Sequence, residues 1–153
     1  MAEPISFPST TANVALPLLF SGQAQKEFFL NQALATLDAF IIGAVEETRD
    51  IPPATAQEGQ CYLVSSNASG DWQGYDDQVA ARIGGAWHFI RPTDGMELFD
   101  RTLGQRLLFK TQWGAAPALY EPTGGAIVDA EARAAIGQVL NTLRSLGILP
   151  DSA

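Results

Sequence analysis

Between Ser21 and Thr48, apolar residues recur at Leu30, Leu34, Leu37, Ile41 and Ala44, at intervals of four, three, four and three. That spacing puts them on one stripe of an α-helix, which Phe29, Ala33 and Phe40 widen. Ser21 suits the N-cap because its hydroxyl can accept from a free N–H of the first turn, and Glu27 suits the dipole at that end. Asp50 and the Pro52-Pro53 pair stop the pattern. The spacing predicts a long N-terminal helix of about 25 residues, roughly 37 Å, whose stripe needs a partner in this chain or in another copy.

The same rhythm returns near the end of the chain. Ala132, Ile136, Val139, Leu143 and Leu146 again follow intervals of four, three, four and three, a heptad seam between the cap Asp129 and the stop Gly147. Pro122-Thr123-Gly124-Gly125 reads as a hinge before it. Two heptads are short for a coiled coil to stand alone, so this helix packs on the first or bundles with other copies.

Between the helices the period changes to that of strands. Cys61 to Val64 is a short apolar strand and Ser65 to Gly70 a turn. Val79 to Ile83 and Ala86 to Ile90, joined by Gly84-Gly85, form a hairpin in which His88 points away from Trp87 and Phe89. Further strands are expected at Met96 to Asp100, Arg106 to Lys110 and Ala118 to Glu121. The fold class is α+β: a long N-terminal helix, a small antiparallel meander or half-barrel over 60–122, and a C-terminal heptad helix. Residues 1–20 read as an extended arm, 21–122 as helix plus β body, and 123–153 as hinge and packing helix. The arm closes on Leu16, Leu18, Leu19 and Phe20, which need cover from the long helix or a neighbour.

Composition narrows the function. Nine basic residues against 17 acidic ones give a net charge of −8, which repels phosphate backbones and anionic lipid, so no direct nucleic-acid partner is expected. A single cysteine, Cys61, excludes an internal disulfide, and with one histidine, His88, it excludes the familiar zinc frameworks. The first 20 residues lack a basic n-region and are broken by Pro4, Pro8 and Pro17, and no apolar run is long enough to span a bilayer. Folding in the cytoplasm, with release by lysis or inside a particle, and no membrane insertion are expected.

Catalytic chemistry finds little support. His88 reads as a solvent-facing strand residue, Cys61 as a buried inert thiol, and Asp76-Asp77 as solvated turn acids with no second carboxylate identified across a cleft. A noncatalytic protein without cofactor or metal is expected. Trp72 in its Gly-flanked loop, with Tyr75, Asp76 and Trp113, is the candidate glycan-binding set, since exposed rings beside carboxylates stack on sugars and bond their hydroxyls. Leu16, Leu18 and Phe20 of the arm, Gln23, Gln25 and Lys26 at the helix start, and Ile136, Val139, Leu143 and Leu146 of the seam are the candidate assembly residues.

The run Leu16-Pro17, Gly22-Gln23-Ala24-Gln25-Lys26-Glu27, Asn31, Ala33-Leu34 and Leu37-Asp38-Ala39, followed by Glu58-Gly59, Tyr62-Leu63-Val64, Gly70-Asp71-Trp72 and Gly84-Gly85-Ala86-Trp87, resembles a family of uncharacterised function. That family occurs in virion proteins of tailed phages, prophages and gene transfer agents, and the resemblance covers roughly residues 14–110. The C-terminal run from Val128 to Leu149 is similar to a short segment at the ends of phage and gene transfer agent spike and fibre proteins, with Gly137 where that segment commonly has asparagine. The resemblance implies a virion structural or adsorption protein, a head spike or fibre component partnered by other virion proteins and, as such spikes are symmetric, a trimer. Some such spikes help the particle attach to capsular polysaccharide. A free-standing glycan-binding module and a glycan-cleaving enzyme are the alternatives.

Overall fold

The structure, a computed structural model, describes residues 9–22, 26–125 and 129–151. In chain order the elements are α1 (Lys26–Ile41), β1 (Ala44–Val45), β2 (Thr48–Arg49), β3 (Cys61–Val64), a 3-10 turn (Gly70–Trp72), β4 (Val79–Ile83), β5 (Ala86–Ile90), β6 (Glu97–Asp100), β7 (Gln105–Phe109), β8 (Trp113–Ala115) and α2 (Ala130–Ser145). The fold is α+β, with one helix near each end and two small, mainly antiparallel sheets between them. The chain divides into two units, Met1–Arg91 and Pro92–Ala153. The division therefore falls at Arg91 and not at the Pro122–Gly125 hinge, and the expected single β body over 60–122 is shared between two sheets.

In the first unit, strands run in the order β2-β3-β4-β5. The β4–β5 hairpin is the one its sequence predicts, in register from Val79↔Ile90 to Ile83↔Ala86. Its turn needs two residues at positive φ, and Gly84 and Gly85 supply them at 60° and 74°. The Glu58 carboxylate accepts both turn N–H groups, with Gly85 at 3.2 Å. Alternation then sorts the side chains: Tyr62, Val64, Ala80, Trp87 and Phe89 share one face with Trp72, forming the aromatic core. Helix α1 lies against the other face, where the buried Cys61 thiol sits 3.8 Å from the Ala39 carbonyl.

The first helix is shorter than its period predicts and ends at Ile41, not near Thr48. Gly43, at φ 58°, turns the chain and donates to the Phe40 carbonyl at 2.9 Å. Beyond it the backbone finds better partners in the sheet. Glu46 N–H donates to Cys61 O and Leu63 N–H to Glu47 O, and β2 pairs parallel with β3. Ser21 lies in the turn before the helix, Gly22 N–H donates to Glu27 Oε1 at 3.0 Å, and Gln23 and Gln25 lie outside the described residues.

In the second unit β6, β7 and β8 form a meander, paired through Leu98↔Leu107 and Phe109↔Trp113. Asp100 closes the first turn by accepting from Thr102 and Leu103 N–H at 3.0 and 2.9 Å. Asp129 caps α2 by accepting from Ala132 N–H at 2.9 Å. At Gly147, φ is 66° and an added Cβ would lie 2.8 Å from the Phe99 ring, so only glycine fits that stop. Residues 118–121, expected as a strand, are irregular, and the Leu119 carbonyl accepts from an α2 side chain and not from a strand, as described below.

Candidate assembly surfaces

Most of the α1 stripe, which the spacing says needs a partner in this chain or in another copy, faces solvent. Phe29 is 78% exposed, Leu37 56% and Ile41 64%, with Leu30 half uncovered as well; Leu34 is half-buried, and Phe28, off the stripe, is 72% exposed. The buried side of the helix is instead formed by Glu27, Asp38 and Ala39. Glu27, Asn31 and Asp38 stand four and seven residues apart, so they share a face, and that face grips the N-terminal arm. Asp38 accepts from the Thr11 hydroxyl at 2.6 Å and from Asn13 and Val14 N–H at 2.8 Å each. Asn31 clamps Leu19 from both ends, accepting its N–H at 2.8 Å and donating to its carbonyl at 3.0 Å.

Burial alone would raise the Asp38 carboxyl. The bonds from Thr11, Val14 and Asn13 outweigh it and hold the group below its ordinary value of 3.8. The arm itself is folded back, not extended: Thr10 and Pro17 bridge antiparallel, and Thr11 N–H donates to Leu16 O at 3.0 Å. Leu16 and Leu18 are half-buried, while Phe20 and Lys26 are exposed. Gly59 lets the arm approach, since a Cβ there would meet Ala12 Cβ at 2.7 Å. A groove of about 800 Å³ remains open on the helix flank, lined by Phe28, Gln32, Ala35, Ile83, Ala86 and His88.

The second helix repeats the arrangement with opposite chemistry. Arg133 donates to the carbonyls of Pro122, at 3.0 Å, and Gly124, and Arg144 donates to Leu119 O at 3.0 Å. Gly137 and Leu140 are the buried positions. At Gly137 a Cβ would stand 3.2 Å from the Glu121 carboxylate. Along the heptad seam Ile136, Val139 and Leu146 are exposed and Leu143 is half-buried. A groove of about 810 Å³ opens beside the helix end, lined among others by Leu107, Leu108, Lys110, Leu146 and Ile148.

The proposed glycan platform is not assembled as expected. Trp72 is fully buried, its ring 5.1 Å from Trp87 at 84° and 6.0 Å from Tyr62. Polar, Gly-flanked neighbours mark a loop but not the direction of its one large ring, and this face has few large aliphatic side chains to fill it otherwise. Tyr75 is partly exposed, with one ring face stacked on Phe89 at 3.6 Å. Asp76 accepts from Ala68 N–H at 3.2 Å. Trp113 belongs to the other unit and is half-buried, edge-on to Phe109.

His88 is half-buried on the α1 side of the sheet, and Cys61 is buried. Among the described residues, no group of three or more His, Cys, Asp and Glu side chains could hold a metal, and no helix is long and apolar enough to cross a membrane. Asn31 and Asp38 entered the sequence reading only as part of the family resemblance, and neither they nor Arg133 and Arg144 were among its candidate site residues. Helical spacing of the polar residues, read with the same care as that of the apolar ones, would have found the first two.

Residues 30–114, more than half of the chain, match a family described as "Protein of unknown function (DUF2793)", and the chain belongs to that family. The matched span runs from α1 into β8 and stops short of both the arm and α2. No curated protein matches the chain in sequence.

Proposed function

We propose that this member of the DUF2793 family is a noncatalytic structural subunit of a phage-like or gene transfer agent particle. In this reading it is a head spike or fibre component acting in assembly and in attachment to host surface polysaccharide. The observation that carries the assembly part is the outward turn of both helices. Each is held to its own unit through polar side chains, and each leaves an apolar seam in solvent. Protein surfaces seldom leave such faces uncovered unless a partner covers them.

The particle itself is supported by the likeness of the Gly22–Glu27 helix start and of the C-terminal segment to virion proteins. The partners are other virion proteins and further copies of this chain, arranged as a trimer around a symmetry axis. For attachment, the free face of Tyr75 and the Asp76 carboxylate remain at the surface of the first unit, and symmetric repetition would multiply weak contacts. Asp76 as part of a glycan-cleaving pair is disfavoured by its engagement with a backbone N–H.

The experiment is deletion of the gene in a particle-producing strain. Mutant particles are expected to lack a class of surface projections and to adsorb poorly to capsulated cells, and both defects should be restored by the wild-type chain. Projections and adsorption identical to wild type would overturn the assignment.

A further inference from the structure

We infer that the uncovered face of α1 is an interface between copies of this chain. The inference deepens the assembly reading by naming the partner of one surface, but it requires no particle.

Size is the first argument. Phe29, Leu30, Leu37 and Ile41 share this face and are all exposed, Phe29 to more than three-quarters. Scaled by their exposure, with an aromatic side chain presenting about 150–250 Å², these four amount to about 400–500 Å². That is the size of the largest apolar patch of a typical monomer, about 300–600 Å², a patch that is often functional.

Charge chooses the occupant. From Phe28 to Ile42 the only charged residue is Asp38, which is buried, so the exposed positions of this face carry no charge. A partner recruited by a chain of net charge −8 through opposite charge would be met by acidic side chains. A partner of the same charge must meet it on neutral ground, and a second copy is such a partner.

Spacing agrees. Leu30, Leu34, Leu37 and Ile41 form a seam that matches itself about a symmetry axis, knob into hole. Phe29, one position off the seam, is the side chain available to enter the neighbour's flank groove beside Ile83, Ala86 and His88.

The test uses the full purified chain in sedimentation velocity. The wild type is expected to be oligomeric, and Phe29→Asp and Leu37→Asp to lower its mass by at least one protomer without changing the far-ultraviolet circular dichroism. Val139→Asp on α2 should leave the α1 contact intact. As Cys61 is the only cysteine and is buried, Leu37→Cys places one accessible thiol at the seam, and mild oxidation should yield a covalent dimer. A monomeric wild type would overturn the inference. So would an oligomer that ignores both α1 charges, or failure of Leu37→Cys to cross-link in an oligomeric protein. None of these results bears on whether particles carry the chain, which the deletion experiment decides.

Discussion

The two helices solve one problem with opposite chemistry. Both turn an apolar seam of the same rhythm outward, and both are tied to an irregular segment of their own unit by polar side chains. On α1 the ties are mainly acceptors: Asp38 and Asn31 collect the N–H groups of the arm, and the contact is partly buried. On α2 they are donors: Arg133 and Arg144 collect the carbonyls of residues 119–124 at the surface. The difference teaches that a helix can be fixed in place without spending its apolar face, and that the kind of tie decides what loosens it. A carboxylate latch yields to acid, whereas a guanidinium latch does not.

The largest effect should come from removing the acceptor. Asp38→Ala leaves three donors of the arm without their anion and is expected to cost about 2–4 kcal/mol, seen as a lower urea midpoint and rapid proteolysis between Ser9 and Phe20. Acid should act on the same tie without mutation. The Asp38 carboxyl is held below its ordinary value in the folded state, so its contribution is complete above that value and is lost as pH falls through the lowered one. Digestion with an acid-active protease at successively lower pH should cut the arm first while 119–124 stays resistant. Equal loss at both sites would break the comparison.

Smaller changes sharpen it. Gly59→Ala, which drives a Cβ into Ala12 and strains a φ of 84°, is expected to cost about 1–3 kcal/mol and to expose the arm while α2 is unaffected. Arg133→Met and Arg144→Met should each cost only about 0.5–1 kcal/mol, because their bonds lie in solvent, and should do so equally at neutral and acid pH. Smallest of all, Leu37→Ser at concentrations where the chain is monomeric should shift stability by less than about 0.5 kcal/mol. A loss of about 2–5 kcal/mol there would return the stripe to the core.

What could be read from the residues was local. Gly84-Gly85 between alternating strands, Asp129 as a cap and Gly147 as a stop each act through their immediate neighbours, and each stands where the pattern put it. The α+β class followed from the same signals. The site was less legible. Periodicity says which side chains share a face but not which face is covered, so the Leu30–Ile41 stripe was read as a packing surface while Asp38 and Asn31 were given no role beyond the family resemblance. The expected helix ran on to Thr48, but Glu46 and Glu47 bond β3 and Thr48–Arg49 pairs with it, because tertiary hydrogen bonds outweighed a weak local preference. Trp72 had polar neighbours and turned inward, since its sheet face had few large aliphatic side chains and is filled by the rings of Tyr62, Trp87 and Phe89 with its own.

That inward turn gives the molecule an optical label of its own. Trp72 and Trp87 lie within 5.1 Å of each other in the first unit, and Trp113, the third tryptophan, lies in the second. A fully enclosed indole emits at short wavelength, and a close pair of indoles lends asymmetry to the near-ultraviolet spectrum that a solitary ring cannot. Replacing Trp113 with phenylalanine would leave the first unit alone visible in emission. The melting of one half of the chain could then be followed by its colour, with no dye attached.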